Sequence, residues 1–78
     1  MQAEAFDRAL RGLSRRVPFR EFLVELVSGT RFVIEHPEAL VFRNGTAIYI
    51  DTNGDLTIFN HQGVNRLSDH KPPRLRRR

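Results

Sequence analysis

VELVSGTRFVIEHPEALVF, residues 24–42, decides how this chain folds. Apolar and polar residues alternate on either side of Ser28-Gly29, which is the period of a strand and not of a helix. A three-residue loop of Val27, Ser28 and Gly29, with Gly29 in the left-handed position of a bulged turn, sets Leu26 against Thr30 and fixes the register. Phe22, Val24, Leu26, Phe32 and Ile34 then share one side. Leu23, Glu25, Arg31, Val33 and Glu35 share the other, with Glu25 opposite Arg31. A two-residue loop would scatter charge over both faces, and a slip of one residue exchanges core for solvent. His36-Pro37-Glu38 interrupts the ladder, because proline has no N–H to donate.

Toward the C-terminus the pattern continues in hairpins. A strand over 39–43 turns through Asn44-Gly45, the strongest short hairpin signal, into a strand over 46–51. Thr52-Asn53-Gly54 turns again into a strand over 55–59, and residues 60–67 read as a tight turn and a short closing strand. This register puts Val41, Ile48, Ile50, Leu56 and Ile58 on one face, expected to be an aliphatic interior. Leu40, Phe42, Ala47, Tyr49, Thr57 and Phe59 fall on the opposite face.

Toward the N-terminus the period lengthens. Phe6, Leu10 and Leu13 recur at helical spacing and predict a helix over 3–16 with one apolar stripe. Arg8, Arg11 and Arg15 gather on another face of it. Pro18 ends the helix, since the residue before a proline disfavours helical backbone.

A chain of 78 residues makes one small domain and buries only roughly 60% of its unfolded surface, so self-association is a live expectation. It has no cysteine, which rules out disulfides and thiolate metal sites and suits a reducing cytoplasm. MQAEAFDRALRGL is charged throughout and reads as neither a signal peptide nor a membrane span. The net charge of +4 is unevenly spread. Residues 1–21 carry five arginines against Glu4, Asp7 and Glu21, while residues 22–70 carry three against six acids. Residues 71–78 add Lys71, Arg74, Arg76, Arg77 and Arg78 with no acid, and read as a disordered basic tail.

The expected fold is therefore mainly β within the α+β class. One N-terminal helix precedes a five- to six-stranded antiparallel meander that closes into a small barrel, which removes its edges. The domain spans 1–70. PFREFLVELVSGTRFVIEHPEALVF (residues 18–42), followed by IFNHQGV (residues 58–64), resembles a group of small uncharacterised bacterial proteins with a PFRPF…SG…HPE pattern, which carries no known activity. More distantly, the helix and VELVSGTRF resemble the first motif of Sm-like proteins, in which a helix precedes a bent five-stranded barrel and rings of subunits bind RNA. The second Sm motif is missing, so no RNA-contacting residue is carried over. An SH3-like barrel describes the shape equally well.

The chemistry-bearing residues point away from catalysis. His36 and His61, with Glu38 as a third ligand, are the one conceivable metal set, yet they lack the tight spacing of a zinc site. His36 falls on the core side of the hairpin register. Glu35 and Glu38 flank a proline corner, and Asp51 and Asp55 flank a turn, which are ordinary places for acids. There is no nucleophile elbow and no phosphate-cradling glycine loop. No cofactor is expected, and no membrane. Two features remain. The tail cations, together with Arg8, Arg11 and Arg15, offer salt-dependent affinity for RNA or another nucleic acid. Phe42, Tyr49 and Phe59 either stack on a partner or lie under the helix stripe. The lead reading is a non-catalytic binding module for nucleic acid, RNA first. The alternative is a protein-interaction or self-assembly module without nucleic acid.

Overall fold

The computed structural model of this chain describes residues 1–70, so the expected disordered tail and its five cations lie outside the described residues. Helix α1 (Ala3–Ser14) precedes six strands: β1 (Phe22–Leu26), β2 (Arg31–Ile34), β3 (Leu40–Arg43), β4 (Thr46–Ile50), β5 (Leu56–Asn60) and β6 (Val64–Asp69). A single 3-10 turn, Pro37–Ala39, links β2 to β3. The strands pair antiparallel in two three-stranded sheets, ordered β2-β1-β6 and β3-β4-β5. The class is thus α+β with one N-terminal helix, as the patterning predicts. The strands are not one continuous meander, however. β6 leaves β5 and pairs with β1, and no ladder joins β2 to β3 or β5 to β6.

The hairpin registers agree with the sequence reading. Phe22 lies opposite Ile34, Val24 opposite Phe32 and Glu25 opposite Arg31. The Leu26 amide donates to the Thr30 carbonyl at 2.8 Å, and Gly29 has φ of +95°. In the second sheet Phe42 faces Ala47, Tyr49 faces Thr57 and Ala47 faces Phe59. Asn44 (φ 54°) and Gly45 (φ 84°) are both left-handed, the twist that a two-residue hairpin requires.

Two boundaries differ. The helix ends at Ser14, not at residue 16, with the Arg15 amide bonded back to the Arg11 carbonyl at 3.1 Å. β6 runs to Asp69 and carries an irregularity: Glu25 pairs with Arg66 but Leu26 with Val64, which leaves Asn65 over. That extra residue turns both Val64 and Leu67 toward the core, although three positions apart would place them on opposite sides of a regular strand.

The core lies between the two sheets and under the helix. Phe6 and Leu10 of α1 are fully buried, with Leu13 packed at the margin. Phe22, Val24 and Ile34 enter from the first sheet, and Leu40, Ala47, Tyr49 and Phe59 from the second. Phe59 is the pivot: its ring meets Phe6 at 5.8 Å and Phe32 at 5.3 Å between centroids, both edge to face. Such rings each remove roughly 150–250 Å² from water and gain further from the edge-to-face geometry. The Tyr49 hydroxyl, inside this core, accepts a hydrogen bond from the Glu35 amide at 3.0 Å.

This packing reverses the expected interior of the second sheet. Val41, Ile48, Ile50, Leu56 and Ile58 face outward, with exposures from 37% (Ile48) to 65% (Val41). Both faces of this sheet are apolar, so alternation does not choose between them. The aromatic face removes more surface from water when covered, its Ala47 leaves room for close approach, and its tyrosine finds an amide partner. Helix and first sheet therefore settle on that side.

Candidate functional site

The outer face of β3-β4-β5 is built from β-branched and aliphatic residues in register. Val41 stands opposite Ile48, Ile48 opposite Ile58, and Ile50 opposite Leu56. These five side chains form one contiguous surface, since directly paired residues on a sheet lie about 4.5–5.5 Å apart. Arg43, Thr46 and Asn60 border it at the Asn44-Gly45 end. At the other end is the 52–54 turn, where an Asp51 carboxylate oxygen accepts from the amides of Asn53 and Asp55, each at 2.9 Å. Beside Ile58 the surface runs into an open cleft of about 260 Å³ lined by Leu26, Val27, Phe59 and Gly63. Val27, the first residue of the β1–β2 loop, is itself 68% exposed.

Of the two readings of Phe42, Tyr49 and Phe59, burial beneath the helix stripe agrees with the structure better than an open partner face. Tyr49 and Phe59 are 2% and 4% exposed, and Phe42 is half-buried against the core. The rings of Tyr49 and Phe59 are not free to stack on a base, since both are buried in the core between the helix and the two sheets. The surface that is open is the one the sequence reading placed inside. Its signal is present in the sequence, as three strands with two apolar faces and one expected helix to cover them.

Arg8 and Arg11 on α1, and Arg15 just past its end, are all exposed. No ion pair engages them among the described residues. The arginines that are engaged serve the fold. Arg16 bonds to the Asp69 carboxylate and to the Arg20 carbonyl, which ties the helix exit to the end of β6. Glu25, opposite Arg31 in one ladder and Arg66 in the other, has its carboxylate 3.9 Å from Arg66.

The histidines do not converge. His36 is exposed, not core-facing, and stands 3.7 Å from Glu38 beside the proline corner. His61 is at the other end of its strand pair, with Nδ1 donating to the Met1 carbonyl at 2.8 Å. Its ring packs over Gly45, whose amide donates to Asp7 at 2.9 Å and whose carbonyl accepts from the His61 amide. His61 thus helps to buckle the helix onto the β3–β4 turn. Among the described residues no group of three or more His, Asp or Glu side chains is placed to hold a metal ion. No helix among them is long and apolar enough to cross a membrane.

No family model, curated protein or solved structure matches this chain.

Proposed function

We propose that this protein is a non-catalytic interaction module whose working surface is the outer aliphatic face of β3-β4-β5. The observation that carries this reading is the outward orientation of Val41, Ile48, Ile50, Leu56 and Ile58 as one patch. Large contiguous apolar patches on small domains mark sites of association. The polar side chains support a non-catalytic role: Asp51 is spent on its own turn, Asp7 on the Gly45 amide and His61 on a backbone carbonyl. The cysteine-free sequence suits work in a reducing cytoplasm. We read the fold as a small barrel of the SH3-like or Sm-like kind left open along two seams, a reading supported by the β1–β6 ladder that returns the last strand to the first.

The test compares tagged wild-type protein with an Ile48→Lys/Ile58→Lys variant and an Arg8→Ala/Arg11→Ala/Arg15→Ala variant as baits. The reading expects association, with the untagged chain or with another protein, that the face variant loses and the helix variant keeps. Absence of any face-dependent association overturns it.

The second reading is binding of RNA or another nucleic acid through Arg8, Arg11 and Arg15 together with Lys71, Arg74, Arg76, Arg77 and Arg78. The exposure of the three helix arginines supports it. Binding of generic RNA that weakens steeply with salt, and weakens further in the helix variant, would favour this reading over the first.

A further inference from the structure

The geometry points to a second copy of this chain as the occupant of the aliphatic face, docked sheet on sheet about a two-fold axis. This inference rests on the reading of that face as the association surface, and it names the partner. The five side chains expose on the order of 500 Å² of apolar surface, at the upper end of the largest patches that monomers carry. Two such faces in contact bury about 1,000 Å² of apolar surface, and their polar borders bring the total to the lower end of the roughly 1,200–2,000 Å² of a stable complex. The centre of the face carries no charge and no unpaired polar side chain. It consists of Ile48 on the middle strand flanked by Val41 and Ile58. A face of that composition is complementary to itself, which is what a two-fold interface requires. Sheets packed in this way interdigitate their side chains at about 10 Å separation.

The charge at one end chooses the direction of the axis. Arg43 is the one charged side chain on the outer face of the sheet, at the Asn44-Gly45 end. Asp51 and Asp55 flank the 52–54 turn at the opposite end. An axis lying between the sheets and across the strands sets each end of one copy over the other end of its partner. The two arginines then lie at opposite ends of the interface and do not meet; Asp51 and Asp55, one rung past Ile50 and Leu56, fall on the inner side of the ladder and set no charge against them. Other occupants fit less well. The eight residues after His70 hold one aliphatic side chain, Leu75, too few to cover five. Nucleic acid gains nothing from a surface whose only cation is Arg43. An anionic membrane surface likewise gains little from a face with one cation.

The absence of cysteine makes the test clean, because a single introduced thiol reports alone. Ile48, on the middle strand, lies nearest the axis. Under mild oxidation Ile48→Cys is expected to form a covalent dimer in high yield. Arg31→Cys, on the outer side of the first sheet, is expected to form no covalent dimer. Sedimentation of the wild-type chain should show the dimer mass, and Ile58→Lys should show a folded monomer. A wild-type chain that stays monomeric, a dimer that survives Ile58→Lys, or a face-dependent dimer in which Ile48→Cys does not cross-link each overturns the arrangement. A monomer that nonetheless binds a different protein through this face overturns the second copy and leaves the association surface standing. A monomer with no face-dependent partner removes both.

Discussion

Phe6 of the helix and Phe59 of β5 meet edge to face at 5.8 Å, which fastens the helix to the inner side of the second sheet. Removing either partner should open a cavity under the helix. Phe6→Ala should cost about 3–5 kcal/mol and Leu10→Ala about 2–5 kcal/mol in urea unfolding, as buried truncations do. In a double-mutant cycle Phe6 and Phe59 should couple by at least ~0.5 kcal/mol. Additive losses would mean that the helix packs elsewhere.

Tyr49 joins the two sheets through its hydroxyl as well as its ring. Tyr49→Phe keeps the packing but takes away the acceptor of the Glu35 amide. The expected loss is about 1 kcal/mol, toward the lower end for an unsatisfied donor because Glu35 sits at an exposed strand end. Amide exchange at Glu35 should quicken in the same variant. An unchanged exchange rate would show that water or another group takes over.

Gly29 and Gly45 both have positive φ, but their surroundings differ. A Cβ at Gly29 meets nothing within 4 Å, so Gly29→Ala should cost only backbone strain of roughly 1–2 kcal/mol. A Cβ at Gly45 would lie 2.7 Å from the His61 ring and 2.9 Å from the Ala3 methyl. Gly45→Ala should therefore destabilise more than Gly29→Ala and should loosen the start of the helix. Equal losses in thermal unfolding would show that the buckle between Met1, Asp7, Gly45 and His61 is unimportant.

Neighbouring residues of β5 should respond oppositely. Phe59→Ala removes a core ring and should cost about 3–5 kcal/mol. Ile58→Thr acts at a 64% exposed position and should change the stability of the dilute chain by less than about 0.5 kcal/mol. A large loss at Ile58 in dilute solution would place the interior on the other face.

The hairpins were legible in the sequence because turn chemistry and strand period agree at Ser28-Gly29 and Asn44-Gly45. Together they fix which residues share a face. They do not fix which face is covered, since Val41, Ile48 and Ile58 are as apolar as Phe42, Tyr49 and Phe59. That choice is made by the helix and by the first sheet, through contacts distant in sequence. The return of β6 to β1 was hidden for a related reason. Val64 and Leu67 share the core only through the irregularity at Asn65, which no alternation pattern announces. The strand period, extended past the end of the ladder at Ile34, puts His36 on the core side, but the chain there already turns toward Pro37 and the side chain is exposed.

Isoleucine methyl signals give the most direct test of the outer face as the surface on which two copies of the chain meet. The chain has four isoleucines: Ile34 is fully buried in the core, and Ile48, Ile50 and Ile58 lie on the face. In a dilute sample a soluble paramagnetic agent should broaden the three face residues and spare Ile34. As concentration rises, the three signals should shift and become protected together while Ile34 stays constant. Four signals that ignore concentration, or three that remain accessible at every concentration, would contradict the account.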